Sequence, residues 1–120
     1  LPIYGDGKNI RDWLYVKDRC EAITIILENG KPGDTYNIGG SCEKSNFEVV
    51  NEICKILDSI KPKQDGSSYS DQIEFVTDRP GHDFRYSLDT SKIEKNFNWK
   101  PKEPFALGLE KTVKWYLERV

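Results

Sequence analysis

Three stretches of the sequence join a glycine-containing turn to a residue that donates strong hydrogen bonds. An arginine guanidinium offers a planar set of N–H groups that matches a phosphate at two points, and a neighbouring glycine lets the backbone approach a ligand closely. Arg11 and Arg79 come from two separate stretches, so together they could clamp a diphosphate. The three stretches are Pro2–Gly7 with Arg11, Tyr36–Gly40 leading to Asn46, and Asp78–Asp83.

Each of these signals also has a simpler interpretation. Gly5–Gly7 is typical of an ordinary turn, and Arg11 could pair with a nearby aspartate at the surface, which contributes little. Asn46 follows a serine that can cap a helix, so it could cap or turn the chain as well. His82 is the single histidine, and a lone histidine is more often a hydrogen-bonded loop residue than a catalytic group. The diphosphate hypothesis therefore depends on the three stretches occurring together.

The sequence contains no evident reaction centre. Asp78 and Asp83 flank Arg79, which would keep both carboxylates ionised, so we expect them to pair with it rather than to act as acid and base. The glycine-rich fingerprints of dinucleotide and nucleotide sites are absent, as is the Gly-x-Ser-x-Gly elbow. We therefore expect no catalytic residue in this chain.

Composition excludes several classes of protein. The 120 residues include 18 Lys and Arg against 20 Asp and Glu, a net charge of −2, which argues against binding to nucleic acid or anionic lipid by bulk attraction. No apolar run approaches the roughly 18 residues of a membrane span. The three cysteines lack zinc-ligand spacing, so we expect neither a disulfide framework nor a metal site, and a reducing cytoplasm fits best. The chain has no Met and begins at Leu1, and we expect it to be a fragment of a longer protein.

The elements that must position these residues predict a small α/β domain with short strands and three to four helices. Asp12–Val16 is predicted as a strand, and Asp18 as the cap of a helix that ends near Asn29-Gly30. Thr35–Ile38 is predicted as a second strand.

The second half of the chain continues the pattern. Ser45 and Glu48 have capping-box spacing, so a helix is predicted to begin there. Its apolar face comprises Phe47, Val50, Ile53, Cys54 and Leu57. Residues 61–71 are predicted as a solvated, mobile loop. A strand at Ile73–Val76, a short helix from Asp89–Ser91 to Phe97 and a final helix from Phe105 follow, with Leu109, Val113, Tyr116, Leu117 and Val120 on one face of the last.

Taken together, these motifs resemble the dTDP-glucose 4,6-dehydratase family, part of the extended short-chain dehydrogenases/reductases. The resemblance is carried by residues 1–18, by Tyr36–Gly40, by Asp78–Asp83, and by Trp99-Lys100-Pro101 with the closing residues 111–117. In that family an N-terminal Rossmann domain binds NAD and carries the catalytic residues, and a smaller C-terminal domain holds the nucleotide sugar. The resemblance implies that residues 1–120 form this smaller domain, that the Rossmann domain is absent from the chain, and that NAD binds elsewhere.

The resemblance also assigns roles to individual residues. It implies that Pro2, Ile3 and Tyr4 face the thymine and deoxyribose, and that Arg11 and Asn46 bind the diphosphate. Asp78, Arg79, Pro80, Gly81 and His82 would close over the diphosphate from the other side. Family members usually carry two basic residues after the His-Asp pair. Here Phe84 replaces the first and Arg85 remains.

The implied activity of the full-length enzyme is conversion of dTDP-glucose to dTDP-4-keto-6-deoxyglucose and water, with this fragment inactive alone. The enzyme is expected to be a homodimer, and the fragment is expected to self-associate through a bare apolar surface. Two alternatives stay open. One is the equivalent domain of a UDP- or GDP-sugar dehydratase, epimerase or decarboxylase, and the other is a stand-alone interaction module.

Overall fold

A computed structural model describes residues 1–119 of the chain. Helices and short strands both occur along this part, which confirms the predicted α/β class. The helices are α1 (Val16–Asn29), α2 (Asn46–Ile60), α3 (Ser91–Phe97) and α4 (Phe105–Leu117). The strands are β1 (Pro2–Tyr4), β2 (Ile10–Asp12), β3 (Glu43–Ser45), β4 (Glu74–Val76) and β5 (Arg85–Tyr86), and a 3₁₀ turn covers Tyr69–Gln72.

The strands form two small sheets. β1 pairs in parallel with β4, with Ile3 opposite Phe75. The other sheet has the order β3-β2-β5, in which β2 is antiparallel to β3 and parallel to β5. β1 and β2 are separated by one turn and pair with strands on either side of residues 77–84. The pairing therefore brings the first and third candidate stretches together.

The main core lies beneath α1 and α3. Ala22 of α1, Ile93 of α3 and Trp99 are buried together. Partly buried side chains surround them: Leu14, Ile25, Ile26, Tyr36, Ile38 and Phe97. The apolar positions of α1 recur at helical spacing, so they present one face to this cluster. A separate contact joins α2 to α4.

The start of α1 differs from the prediction. The strand ends at Asp12, the helix begins directly after Tyr15, and no side chain caps it. The predicted cap Asp18 is buried in the first turn, where one carboxylate oxygen accepts the backbone N–H groups of Lys102 and Glu103 at 3.0 and 2.9 Å. The prediction was wrong because this carboxylate ties α1 to a segment more than 80 residues away.

The predicted strand at Thr35–Ile38 is also wrong. These residues form no strand, although Tyr36 and Ile38 pack against the core. A Cβ on Gly40 would lie 1.8 Å from the carbonyl oxygen of Trp13. The two glycines of this segment therefore serve close packing against the end of β2, and apolar burial rather than strand pairing explains the alternation of residues 35–38.

The predicted start of α2 is confirmed. The Ser45 hydroxyl accepts the Glu48 N–H at 3.2 Å, and the Glu48 carboxylate accepts the Ser45 N–H at 2.7 Å. The Ser45 N–H and the Ser45 hydroxyl both donate to the Glu48 carboxylate, which lowers the pKa of Glu48. The apolar face is rotated slightly from the predicted one, since Val49 and Cys54 are the buried residues. Burial raises the pKa of the Cys54 thiol.

The remaining predicted elements are confirmed with small shifts. The helix of residues 91–97 and the final helix from Phe105 are present, whereas Val120 lies outside the described residues. The predicted strand at Ile73–Val76 is β4, one residue shorter. The loop before it is anchored by Asp58, whose carboxylate accepts the Ser68 hydroxyl at 2.6 Å and the Tyr69 N–H at 2.8 Å.

The molecule is flat and open for its size. Its extents are 55 × 35 × 20 Å and its radius of gyration is 17.2 Å, against about 13.6 Å for a compact domain of this length. Its accessible surface is 8382 Å², against roughly 6,700 Å² for a compact monomer of this mass. Large apolar side chains lie exposed, among them Leu107, Trp115 and Tyr116 of α4. Within residues 1–119, no helix has the length and apolar character that crossing a membrane requires.

Candidate functional site

The candidate residues of the first and third stretches lie at one corner of the molecule. After β1, the Gly5 N–H donates to the carbonyl of Val76 at 2.9 Å. At the start of β2, the Ile10 N–H donates to the carbonyl of Phe84 at 2.7 Å. The residues between these two contacts, 6–9 on one side and 77–83 on the other, are therefore held next to each other.

Asn46, from the second stretch, joins the same corner. As the first residue of α2, it donates its backbone N–H to the carbonyl of Asn9 at 3.0 Å, and the next amide, of Phe47, donates to Gly7 at 3.0 Å. The amides at the start of α2 are thus already bonded to protein. These two amides are therefore not available to an anion, whereas the Asn46 side chain has no hydrogen-bond partner within residues 1–119.

The turn Asp78–His82 is closed by its own side chains. His82 Nδ1 lies 2.7 Å from Asp78 Oδ1, and the same carboxylate oxygen accepts the Arg79 backbone N–H at 2.8 Å. Gly81 has a φ of +69°, a conformation that favours glycine. Pro80 and Gly81 form the exposed tip, and the His82 side chain is only 9% exposed.

The expected pairing of Asp78 and Asp83 with Arg79 is not found. Asp78 is bonded to His82 instead, and Asp83 contributes its backbone carbonyl. Within residues 1–119, the Arg79 guanidinium has neither an ion-pair partner nor a hydrogen-bond acceptor. The sequence allows Asp78 to pair with either Arg79 or His82, because both are basic residues within four positions of it. It could not show which of these pairs forms.

Arg11 has a different environment. Its guanidinium donates to the carbonyl of Ile10 at 2.7 Å and to the carbonyl of Asp83 at 2.9 Å. Asn9 donates to the same Asp83 oxygen at 3.2 Å. Arg11 therefore touches the end of the turn that carries Arg79, which places both arginines along one loop. Two of its five N–H donors are engaged, which leaves others available to a ligand.

The turn between β1 and β2 depends on its glycines. Gly5 and Gly7 have φ values of +62° and +71°. A Cβ on Gly5 would lie 2.9 Å from Asp78 Oδ2, and one on Gly7 would lie 2.9 Å from the Ile3 side chain. The Lys8 backbone N–H, which donates to the Asp6 carboxylate at 2.9 Å, lowers the pKa of Asp6. Gly5 therefore allows this turn to approach the Asp78 loop closely, and Gly7 allows it to pack against Ile3 and Phe47.

The three residues of β1 divide by face. Ile3 is 4% exposed and packs inward, whereas Tyr4 is 53% exposed and Pro2 is also exposed. Side chains of a strand alternate between its faces, so only Pro2 and Tyr4 present side chains that could contact a nucleobase. Sequence reasoning missed the neighbouring ring pair of Phe47 and Phe75, whose centroids lie 5.8 Å apart.

Asn9 is the other residue that sequence reasoning missed. It is 6% exposed, and its amide reaches the Asp83 carbonyl. The position directly before β2 was a weak signal, because a polar residue that is buried at the start of a strand must bond to a neighbouring segment. Arg85, the retained basic residue, binds Glu43 through two N–H groups at 3.0 and 2.5 Å and ties β5 to β3. This pairing lowers the pKa of Glu43.

A cavity lies on another part of the molecule, away from the candidate site residues. It has a volume of about 1090 Å³ and runs between α4 and the segment after β2. Its aromatic lining residues are Trp13, Tyr15, Phe105, Trp115 and Tyr116, and none of the candidate site residues lines it. Within residues 1–119, no group of three His, Cys, Asp or Glu side chains could hold a metal ion. The candidate site is therefore the corner formed by the loops, which offers guanidinium and amide N–H donors and an aromatic surface.

Comparisons with known proteins identify the family. The model of the family described as "GDP-mannose 4,6 dehydratase" matches residues 1–112. The dTDP-glucose 4,6-dehydratase of Escherichia coli is 55% identical over 117 residues, which cover 98% of this chain and 32% of that protein. The chain thus spans about a third of the length of the curated relatives it matches.

Solved structures agree with these sequence relatives. The dTDP-glucose 4,6-dehydratase from Bacillus anthracis, in complex with NAD, matches with a TM-score of 0.81 and 46% identity over 98% of this chain and 34% of that one. A UDP-glucuronic acid 4-epimerase from Bacillus cereus matches with a TM-score of 0.79 but only 27% identity, over 100% of this chain and 36% of the epimerase. The resemblance to dTDP-glucose 4,6-dehydratases is confirmed, and the chain belongs to the GDP-mannose 4,6 dehydratase family.

Proposed function

We propose that this chain is the nucleotide-sugar-binding part of a dTDP-glucose 4,6-dehydratase. The enzyme would convert dTDP-glucose to dTDP-4-keto-6-deoxyglucose and water. The observation that carries this proposal is the 55% identity to the Escherichia coli dehydratase over 98% of the chain. The chain spans about a third of that relative, so the remaining parts of the reaction are assigned to a longer protein. Residues 1–120 would form one substrate-binding domain of it.

The corner formed by the loops supports this role through its donors. Arg79 lies on an exposed turn and its guanidinium has no partner within residues 1–119, and Arg11 contacts the same loop with further N–H groups available. Asn46 adds an unengaged amide from the start of α2. In the proposal these three side chains bind the diphosphate, because guanidinium N–H groups match phosphate oxygens in geometry and charge. Pro2 and Tyr4 face the thymine and deoxyribose.

NAD does not fit the residues described here. A dinucleotide site needs a glycine-rich turn between a strand and a helix, where backbone amides meet the pyrophosphate. Within residues 1–119, β3 runs straight into α2 through Ser45 without a glycine, and the first amides of α2 are bonded to protein. We assign NAD to another part of the enzyme, as in the Bacillus anthracis dehydratase solved with NAD. The present residues then contribute by position: a fixed diphosphate makes the reaction of the sugar effectively unimolecular.

The open shape of the molecule supports the same assignment. An apolar groove of about 1090 Å³ and exposed aromatic side chains on α4 are unusual for a free-standing domain. In the proposal the rest of the enzyme covers this face, and the chain alone self-associates through it. Dimerisation of the enzyme and a cytoplasmic location belong to the same proposal. A stand-alone interaction module is disfavoured, since the matched relatives are enzymes three times as long.

The test is substitution of Arg79 in the full-length protein. Loss of a charged, bidentate contact should cost about 2.7 kcal/mol, roughly a 100-fold fall in kcat/KM for dTDP-glucose. The matched control is Arg19→Ala, which removes an exposed arginine of α1. Near-normal kinetics of the Arg79→Ala variant would remove the diphosphate assignment.

A competition experiment separates the sugar-nucleotide alternatives. Binding of dTDP is measured against UDP and GDP by calorimetry on the wild-type full-length protein. The proposal expects preference for dTDP. Preference for UDP would favour a UDP-sugar enzyme such as the 27% identical epimerase. Preference for GDP would favour a GDP-sugar dehydratase, the activity in the family's description.

A further inference from the structure

We propose that Lys44 is a further ligand-binding residue, which binds the phosphate nearer the sugar of the nucleotide sugar. Lys44 is the middle residue of β3, and sequence reasoning did not select it. This inference rests on the proposed function, because it adds a binding residue to the same site. It also gives the ligand a direction, from β1 past β2 towards the groove beside α4.

The register of the sheet places Lys44 beside Arg11. In the antiparallel pairing of β2 with β3, Arg11 and Lys44 lie directly opposite each other. Residues that are opposite each other in such a pair present their side chains on the same face of the sheet. The parallel pairing of β2 with β5 places Tyr86 opposite Arg11 on the other side. A row of three side chains with hydrogen-bond donors, Lys44, Arg11 and Tyr86, therefore crosses one face of this sheet.

The two cations of this row have no carboxylate between them. Within residues 1–119, neither Arg11 nor Lys44 forms an ion pair. The hydrogen bonds from Ser45 lower the pKa of Glu48, and the charge of Lys44 adds a smaller effect, so this carboxylate is already engaged by Ser45. Like charges opposite each other in a sheet are unfavourable. An anion bound between Arg11 and Lys44 would remove this repulsion.

Aromatic residues hold Lys44 in place without neutralising its charge. Lys44 is half-buried, and its Nζ lies 5.0 Å from the centroid of the Phe105 ring. Its backbone carbonyl accepts the indole N–H of Trp13 at 3.2 Å. The face of an aromatic ring attracts an ammonium group but, unlike a carboxylate, leaves N–H groups for another acceptor. In the described part of the chain these N–H groups have no acceptor, so they are available to a phosphate.

The position of Lys44 also sets the order of the contacts. Trp13 and Phe105 line the groove of about 1090 Å³, so Lys44 lies between Arg11 and this groove. In the proposed function, β1 faces the base and Arg11 binds the diphosphate. A nucleotide sugar has the order base, first phosphate, second phosphate and sugar. Lys44, one strand beyond Arg11, therefore matches the second phosphate, and the sugar would lie at the mouth of the groove.

The experiment compares dTDP with dTMP, which lacks the second phosphate, by calorimetry on the full-length protein. Lys44→Met removes the charge and keeps an unbranched side chain against the Phe105 ring. We expect this variant to bind dTDP about tenfold more weakly, the scale of one hydrogen bond to a charged group. Its affinity for dTMP should change by less than about twofold, because the lost contact is absent from that ligand. Lys44→Gln, a second uncharged variant, should show the same selective loss.

A matched control separates phosphate binding from a role of Lys44 in the fold. Lys55→Met removes another lysine charge, from an exposed ion pair with Glu52 on α2, and should leave both affinities unchanged. Equal losses for dTDP and dTMP, or wild-type affinity for both ligands in the two Lys44 variants, would overturn this inference and leave the proposed function standing. Failure of the wild-type protein to bind dTDP would overturn the proposed function, and the inference with it.

Discussion

Replacing Asp18 with alanine should destabilise the chain more than any surface substitution. Asp18 is 6% exposed, and one of its oxygens accepts two backbone N–H groups from the segment that leads into α4. Hydrogen bonds to a charged group contribute about 1.5–3 kcal/mol each, and burial leaves the two donors poorly hydrated after the change. Lys102 and Glu103 are partly accessible, so the lower end applies, and the expected loss is about 3 kcal/mol.

Thermal unfolding followed by circular dichroism measures this loss. For a chain of this length, 3 kcal/mol corresponds to a fall in Tm of about 10 °C. Asp18→Asn keeps an oxygen where both N–H groups point, so it should lose only about 1 kcal/mol. Glu28→Ala provides a matched control, because Glu28 is an exposed acidic residue on the same helix.

Two outcomes would refute the reasoning. If Asp18→Ala unfolds at the same temperature as Glu28→Ala, the contacts with Lys102 and Glu103 do not stabilise the fold. If Asp18→Asn is as damaging as Asp18→Ala, the two N–H groups require a charged acceptor, and an amide oxygen in the same place does not replace it.

Three further predictions concern the scaffold and its surface. Ser45→Ala should lower the free energy of unfolding by about 1 kcal/mol, the usual cost of a lost N-cap, as measured by denaturant titration. The Ser68 hydroxyl and the Tyr69 N–H lower the pKa of Asp58 below 3.8, so their stabilisation is complete above that value and is lost as pH falls through the folded pKa. Unfolding measured from pH 5 to pH 2 should show this loss, and Asp58→Asn should reduce the slope. Light scattering at increasing concentration should detect self-association of the chain, and a monomer throughout would contradict the apolar-face proposal.

The elements that the sequence predicted well are those with local signals. The Ser45-Glu48 capping box lies entirely within one helical turn, and the spacing of the apolar residues from Phe105 onward was enough to predict α4, although Tyr116 of the predicted inward face is exposed. The elements predicted wrongly depend on distant partners. Thr35–Ile38 alternates as a strand does but finds no strand to pair with, and Asp18 bonds a segment more than 80 residues away. A local window of sequence shows neither that Thr35–Ile38 lacks a pairing strand nor that Asp18 bonds Lys102.

The candidate site shows the same division. Residue chemistry selected Arg11 and Arg79 as candidates, because a guanidinium can bind a phosphate at two points, and the structure places both along one loop. The sequence could not show that Asp78 bonds His82 rather than Arg79, since both partners lie within four residues of it. Asn9 was missed for a related reason: its importance comes from burial against Asp83, which only the parallel pairing of β2 with β5 creates.

Arg11 and Asp12 connect the corner formed by the loops to the segment that packs on the core. Neighbouring side chains on a strand point to opposite faces, and here Arg11 bonds the turn that carries Arg79 while Asp12 accepts the N–H groups of Gly40 and Cys42, both at 2.9 Å. β2 is also the central strand of its sheet. A change at Arg11 would therefore alter both its proposed ligand contact and a fold contact, whereas a change at Arg79 alters only the exposed turn. This difference is why Arg79, and not Arg11, is the residue whose substitution isolates nucleotide binding.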